Sequence, residues 1–205
     1  MPNIGKVFEV IINKRLVSFC QEKNIIPESQ FGFKYKHSCI HAITKLVLDI
    51  YWSLNDKHCV GACLIDVEKA FDTVRREALI YKLLKKGFNK HLIKMILNMI
   101  EERTFVISNK GKESSMVFQV KNGLQQGTVN SPILFNIYIS NILELFELNK
   151  TKDKGALAFA DDLIVYISGR KPSKINQSLE ILVNKIHSFY DTWKLKIIIS
   201  FITRL

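Results

Sequence analysis

Three aspartates stand where their carboxylates could act together on divalent metal ions. Asp161 and Asp162 are adjacent, with a short apolar run on each side, and Asp66 ends an earlier apolar run. Burying an unpaired carboxylate is costly, so acidic residues in apolar surroundings need a compensating partner. Three such carboxylates would suit two Mg²⁺ ions and in-line phosphoryl transfer. Taken alone, Asp161-Asp162 is more typical of a solvated turn than of a metal site, because Asp is a common turn residue.

The apolar runs beside these aspartates predict the strands that would position them. Residues 59–66 form one run, and residues 156–160 and 163–167 form two more. Short apolar runs bounded by glycine or serine are typical of buried strands. The last two predict a hairpin with Asp161-Asp162 at its turn. We expect the strand that ends at Asp66 to lie beside this hairpin.

Helices with one apolar face are predicted around this sheet. Their expected ranges are 4–21, 39–54, 75–86, 89–101, 133–148 and 173–191. Ser38 and Ser173 are the predicted N-caps, and Gly87 is the predicted stop of the third helix. A second hairpin is expected over 103–108 and 115–121, and a last strand over 193–199. The fold class is therefore α+β, a small antiparallel sheet backed by helices.

Composition and charge limit the classes of function that the chain could have. The chain has 205 residues, is 47% hydrophobic and carries a net charge of +11, which indicates a polyanionic partner, either nucleic acid or an anionic membrane. Its apolar runs are too short to span a membrane, and its first residues lack the apolar centre of a signal peptide. These features predict an intracellular protein, in the nucleus or cytoplasm. The four cysteines contain no CxxC pair and match no structural zinc pattern, which favours free thiols.

Two segments could contact nucleic acid. Residues 75–94 contain seven basic residues against one acidic residue, and residues 30–36 alternate aromatic and basic side chains. Basic residues can bind phosphates, and exposed rings can stack on bases. A solvated lysine face and a loop whose rings fill the core are the alternatives. The residues predicted to bind nucleic acid are Phe31, Phe33, Arg75, Arg76, Lys82, Lys85 and Lys86.

The ordered set of motifs resembles the reverse transcriptases of non-LTR (LINE-type) retrotransposons, close to the jockey-like group. The similar segments are residues 30–33, 64–72, 123–127, 131–139, 159–162 and 193–197. The resemblance implies the fingers and palm of a right-hand polymerase. Residues 1–58 would be a fingers-like part, and residues 59–205 a palm that ends before the thumb.

The resemblance also implies a role for individual residues. Asp66, Asp161 and Asp162 would be catalytic and would hold two Mg²⁺ ions, or Mn²⁺, with help from the Val67 carbonyl. Phe71 would be a steric gate that rejects the 2′-hydroxyl of ribonucleotides, although plain core packing is its alternative. The remaining nucleotide-binding residues would be Gln126, Gly127 and Lys34. Lys34 stands where the family usually has Arg, which keeps the charge but loses the bidentate fork.

The sequence departs from the family pattern near its end. Ile198 and Phe201 stand where the family normally has Asn and Lys. That Lys is thought to protonate the leaving pyrophosphate. The predicted function is an RNA-directed DNA polymerase domain that uses an RNA template, a DNA primer and deoxynucleotides, with reduced or no activity alone. The alternatives are a catalytically silent nucleic-acid-binding remnant and a related RNA-copying polymerase.

Overall fold

The computed structural model describes residues 3–101, 103–109, 112–120, 122–147 and 153–203, and within them helices surround a small sheet. The elements are α1 (Asn3–Glu22), α2 (Cys39–Asn55), β1 (Cys59–Val67), α3 (Ala70–Thr73), α4 (Arg76–Lys85), α5 (Lys90–Ile100), β2 (Arg103–Asn109), β3 (Lys112–Val120), α6 (Ser131–Glu147), β4 (Lys154–Phe159), β5 (Asp162–Gly169), α7 (Pro172–Thr192) and β6 (Ile197–Thr203). Each helix and strand named above as an expectation has a counterpart here, and α3 is an addition.

The main sheet has four antiparallel strands in the order β4-β5-β1-β6. The prediction that the strand ending at Asp66 lies beside the acidic hairpin is therefore confirmed. In the described part of the chain, strands β2 and β3 pair only with each other and form a separate hairpin. The sequence also predicts a turn at residues 109–111 between these strands, and its positions 110 and 111 lie outside the described residues, as do the predicted end positions 121 and 148.

Helix α6 is the centre of the core. Its residues from Ile133 to Ser140 are all buried, including Phe135 and Tyr138 with no exposed surface. A helix that is apolar on every side is stable only when other elements surround it. Helix α7 covers β1 and β5, and α1 adds Ile12 and Leu16 to the same core. Burial of each large apolar side chain contributes roughly 1.5–3 kcal/mol.

Helix α2 differs from the prediction in the direction of its apolar face. The helical periodicity of this segment predicts that Ile43, Leu46, Val47 and Ile50 face inward, but Ile43 and Val47 are each 55% exposed. Of the apolar residues expected to face inward, Leu46 and Ile50 do pack against the sheet, and both are half-buried. The helix contacts β1, β4 and β5 through this strip, which is narrower than its apolar face. Within the described residues, no helix is both long and apolar enough to cross a membrane.

The predicted caps were correct in part. The φ of Gly87 is +80°, which ends α4 as expected, because glycine adopts this conformation without a Cβ penalty. Ser38 is the N-cap of α2 but makes no side-chain capping hydrogen bond. Ser173 is not a cap, because α7 begins at Pro172, a residue whose fixed φ suits a first helical turn.

Strand β6 begins at Ile197, four residues later than expected. Trp193 is the C-cap of α7, and Lys194 has a φ of +57°. This left-handed residue interrupts extended backbone, so the predicted strand cannot begin at Trp193.

Candidate active site

Strand pairing brings Asp66 to the acidic turn. In the register of β1 and β5, Ile65 lies opposite Leu163, and the next residues on the two strands are Asp66 and Asp162. Adjacent strands lie about 4.8 Å apart, so these aspartates are cross-strand neighbours. Asp66 and Asp162 are exposed and Asp161 is half-buried. The structure thus places all three aspartates at the same end of the two central strands.

The three carboxylates influence one another electrostatically. Although Asp162 is exposed, partial desolvation of its carboxylate raises its pKa, and the negative charges of Asp161 and Asp66 raise it further. Burial also raises the pKa of the Tyr190 phenol on α7, and the charge of Asp161 adds to that effect. The charge of Asp161 therefore acts both on its neighbours and on the buried face of α7.

The donor set fits a divalent metal ion by charge and by chemistry. Carboxylate oxygens are the preferred ligands of hard cations, and a cation would relieve the repulsion felt by Asp162. However, among the described residues no three His, Cys, Asp or Glu side chains are arranged as a metal-ligand group. The structure therefore gathers the carboxylates at one place, and their role as metal ligands remains a prediction.

The acidic turn is held by residues that the sequence analysis did not single out for this role. The φ of Ala160 is +57°. The Gln30 side chain, which is 1% exposed, accepts a hydrogen bond from Ala160 N at 3.1 Å and donates one to Ala160 O at 3.3 Å. Gly32 N donates to the same Gln30 oxygen at 2.8 Å, and Asn136 Nδ2 donates to Gly32 O at 2.8 Å. The only sign of this role in the sequence is that Gln30 and Gly32 belong to the same motif, residues 30–33.

Phe71 lies on α3, directly after β1, and is half-buried. Its ring stacks on Phe135 with centroids 5.1 Å apart and meets Phe33 edge-on at 6.4 Å. One face of Phe71 is thus anchored in the core, which fixes the direction of the ring. The steric-gate role remains a prediction, because core packing and gating can use the same anchored ring.

The loop over residues 123–127 is anchored beside Phe71. Leu124 N donates to Phe71 O at 2.8 Å, and Gly123 N donates to Val74 O at 2.8 Å. A Cβ on Gly123 would lie 2.9 Å from the backbone of Asp72, so glycine permits this close approach. Gln126 Nε2 lies 3.5 Å from Asp72 Oδ1, and Gly127 is exposed. The structure therefore brings the predicted nucleotide-binding residues Phe71, Gln126 and Gly127 together.

The aromatic and basic segment over residues 30–36 divides into a buried part and an exposed part. Phe31 is half-buried and packs on the core cluster of Val60, Leu157 and Tyr166. Phe33 is 54% exposed. Lys34 Nζ lies 3.4 Å from Pro27 O, so in this structure it contacts its own loop. Of the two rings, Phe33 is the one that a base could reach.

Lys82 does not fit the predicted nucleic-acid surface. It is 2% exposed, and its ammonium lies over the rings of Trp193, Tyr138 and Phe189 at 3.8, 4.8 and 5.2 Å. It also donates to the Tyr138 carbonyl. Burial, with a contribution from the Lys86 charge, lowers the pKa of Lys82 to about 7. The predicted phosphate contact of Lys82 is therefore wrong, because the end of α7 covers this side of α4.

The other basic candidates differ in accessibility. Arg75 and Lys85 are exposed. Arg76 is half-buried and donates to Ile100 O at 3.5 Å, and Lys86 is half-buried and pairs with Glu144. A cavity of about 650 Å³ opens elsewhere, between α1 and the start of α5, and contains none of the predicted site residues.

Solved structures with this fold include telomerases. The chain superposes on apo telomerase from Candida tropicalis with a TM-score of 0.68 at 15% identity, covering 95% of this chain and 36% of that one. For the same enzyme with a fragment of telomeric RNA, the TM-score is 0.70 at 15% identity, with coverages of 98% and 33%. These likenesses establish the fold, and they confirm the predicted α+β fingers and palm architecture.

Curated relatives confirm the resemblance to the jockey-like group. The RNA-directed DNA polymerase from mobile element jockey of Drosophila melanogaster is 28% identical over 202 residues, covering 96% of this chain and 22% of that protein. The probable RNA-directed DNA polymerase from transposon BS of the same species is 26% identical over 199 residues, with the same coverages. The chain thus spans about a fifth of the length of these relatives.

The family model described as reverse transcriptase (RNA-dependent DNA polymerase) matches residues 1–199. The match includes every predicted site residue, from Phe31 to Asp162. Members of this family generally use divalent metal ions, in agreement with the donor chemistry at Asp66, Asp161 and Asp162. The chain therefore belongs to the reverse transcriptase (RNA-dependent DNA polymerase) family.

Proposed function

We propose that this chain contains the polymerase centre of an RNA-directed DNA polymerase. The centre adds deoxynucleotides to the 3′ end of a DNA primer paired with an RNA template. One observation carries the proposal: the pairing of β1 with β5 sets Asp66 beside the Asp161-Asp162 turn. In this assignment residues 1–58 act as fingers and residues 59–205 as palm.

The proposed cofactor is a pair of Mg²⁺ ions, with Mn²⁺ as a substitute. Asp66, Asp161 and Asp162 would hold the ions, together with the main-chain carbonyl of Val67. When bound, two such ions lower the pKa of an attacking hydroxyl and stabilise the charge on a leaving pyrophosphate. The protein supplies the carboxylates from two hydrogen-bonded strands, which keeps them together at low entropic cost.

Phe71, Gln126 and Gly127 form the proposed nucleotide site. The Phe135 stack fixes one face of Phe71, so the ring cannot move aside for a 2′-hydroxyl. Gln126 and Gly127 would contact the incoming nucleotide and the template base. Lys34 would contact the triphosphate after leaving the Pro27 carbonyl.

The exposed basic residues Arg75 and Lys85 are the leading candidates for phosphate contacts, with Arg76 and Lys86 beside them. The net charge of +11 supports a grip on a polyanionic duplex. Phe33 is exposed enough to stack on a base, whereas Phe31 would support it from the core. Such a protein would act inside the cell, in the nucleus or cytoplasm, where an RNA template and deoxynucleotides occur together.

Primer extension on an RNA template tests the proposal. Asp66→Asn and Asp161→Asn should each reduce Mg²⁺-dependent extension by on the order of 100-fold or more, because each removes a metal-binding charge. Asp56→Asn is the matched control, since Asp56 is an exposed cap residue at the end of α2. Equal activity of Asp161→Asn and the wild-type chain would contradict the proposed metal site.

A catalytically silent nucleic-acid-binding remnant is the second candidate. Ile198 pairs with Asp66, and both Ile198 and Phe201 are 55% exposed where the family normally carries Asn and Lys. This candidate predicts salt-dependent binding of primer–template without extension in Mg²⁺ or Mn²⁺. Phe201→Lys separates the two, since it should increase extension in an active polymerase and leave a silent remnant unchanged.

A further inference from the structure

A short segment before α2 packs along the acidic hairpin. Phe31 N donates to Ala158 O at 2.8 Å, and Ala158 N donates to Ser29 O at 2.8 Å. Gln30 and Ala158 form a parallel bridge, 1% and 2% exposed respectively. The segment thus reaches the end of β4 at the point where the chain turns toward Asp161.

At that point the Gln30 amide bonds both polar backbone groups of Ala160. Its oxygen accepts from Ala160 N at 3.1 Å, and its nitrogen donates to Ala160 O at 3.3 Å. Ala160 is 6% exposed, so water cannot easily replace these bonds. Its φ of +57° is disfavoured for a residue with a Cβ, and it persists only where the surroundings impose it.

The position of Gln30 is itself fixed by the core. Gly32 N donates to the same Gln30 oxygen at 2.8 Å, and Asn136 on the buried helix α6 donates to Gly32 O at 2.8 Å. A Cβ on Gly32 would overlap the backbone nitrogen of Ala160. Gly32 therefore allows the two backbones to approach, and Asn136 ties the segment to the most buried helix.

We propose that Gln30 is a positioning residue, which holds Ala160 in its left-handed conformation and thereby aims Asp161 and Asp162 toward Asp66. The inference rests on the proposed function of these aspartates as metal ligands. Asp161 and Asp162 directly follow Ala160, so a change in its φ would redirect both carboxylates. Gln30 does not touch the reacting atoms and acts through the backbone of the turn.

The conformational part of the proposal can be tested without any assumption about activity. In NMR spectra of the 205-residue chain, Gln30→Met should speed hydrogen exchange of the Ala160 amide about tenfold, because its acceptor is lost. The Ala160 Cα shift should also leave the left-handed range. Gln177→Met, a change at an exposed glutamine of α7, is the matched control. An unchanged Ala160 shift and exchange rate in Gln30→Met would overturn the proposal.

The functional part is tested by Mn²⁺ binding, measured by electron paramagnetic resonance. Gln30→Met should weaken Mn²⁺ binding about tenfold. Adding Ala160→Gly should recover part of this loss, because glycine adopts positive φ without help. If Gln30 acts only through packing, the losses of Mn²⁺ affinity from Gln30→Met and Ala160→Gly should add. Additive losses would therefore refute a positioning role. If Asp161→Asn binds Mn²⁺ as well as the wild-type chain does, the proposed function fails, and the NMR result still decides whether Gln30 holds the turn.

Discussion

Replacing the buried Lys82 by Met should change how the stability of the protein depends on pH. Lys82 is 2% exposed, and its pKa is lowered from 10.5 to about 7. Burial is the largest cause, followed by the positive charge of Lys86. Glu144 opposes these effects, and Lys85 adds a smaller effect in the lowering direction. The unfolded chain should titrate this lysine near its ordinary value.

The sign follows from proton binding. Between pH 7 and pH 10.5 the unfolded chain binds a proton at Lys82 that the folded chain has lost, so stability rises with pH across this window. From pH 7 to pH 9 the rise is roughly 2 kcal/mol for a shift of this size. The rings of Trp193, Tyr138 and Phe189 favour the ammonium form and oppose the shift, which reduces the expected rise to roughly 1–2 kcal/mol.

Denaturant unfolding at pH 7 and pH 9 measures this difference. The free energy of unfolding of the wild-type chain, minus that of Lys82→Met, should increase by roughly 1–2 kcal/mol between the two pH values. Burial raises the pKa of Cys20 to about 12 and that of Cys63 to about 11, but both thiols occur in both proteins and their contributions cancel.

Lys85→Met is the matched control, because Lys85 lies on the same helix and is exposed. Its difference from the wild-type chain should be nearly independent of pH. If Lys82→Met behaves in the same way as this control, the ammonium of Lys82 is not desolvated when the protein is folded, and the reasoning is refuted. The absolute loss of stability in Lys82→Met does not enter this test, because the comparison uses only its change with pH.

Four further substitutions have expected outcomes. Glu9 is 3% exposed, and its Oε1 has no hydrogen-bond partner among the described residues. Glu9→Met should therefore raise the free energy of unfolding by about 1–2 kcal/mol in denaturant titrations, and a loss of stability would contradict the unpartnered placement. Gly32→Ala should lower the free energy of unfolding by at least about 2 kcal/mol, because the new methyl group overlaps the Ala160 backbone. Gly87→Ala should lower it by about 1 kcal/mol, because Gly87 has open space around it but a φ of +80°. Phe71→Ala should reduce the preference for deoxynucleotides over ribonucleotides by roughly tenfold or more in extension assays. An unchanged preference would contradict the proposed role of Phe71 as a steric gate.

Sequence patterns predicted the structure best where an apolar run corresponds to a buried strand. The apolar runs around Asp66 and Asp161-Asp162 predict β1, β4 and β5, and antiparallel pairing then requires the carboxylates to approach. Helical periodicity also locates α4, but it shows only that Lys82, Lys85 and Lys86 share one side. It cannot show that Trp193, Phe189 and Tyr138 come from distant parts of the chain to cover Lys82 alone.

The acidic turn shows why the rest of the site was not predictable. A left-handed residue in a turn is normally announced by Gly, Asn or Asp, but position 160 is Ala. The conformation is imposed from outside by Gln30, which stands 130 residues earlier in the chain. Local propensity and the observed backbone therefore disagree at the residue that directly precedes the proposed metal ligands. Such disagreements are expected where function, more than folding, determines the conformation. A turn shaped only by its own residues would not need a buried amide to hold it, so the contacts of Gln30 with Ala160 favour a turn whose conformation is set by the core.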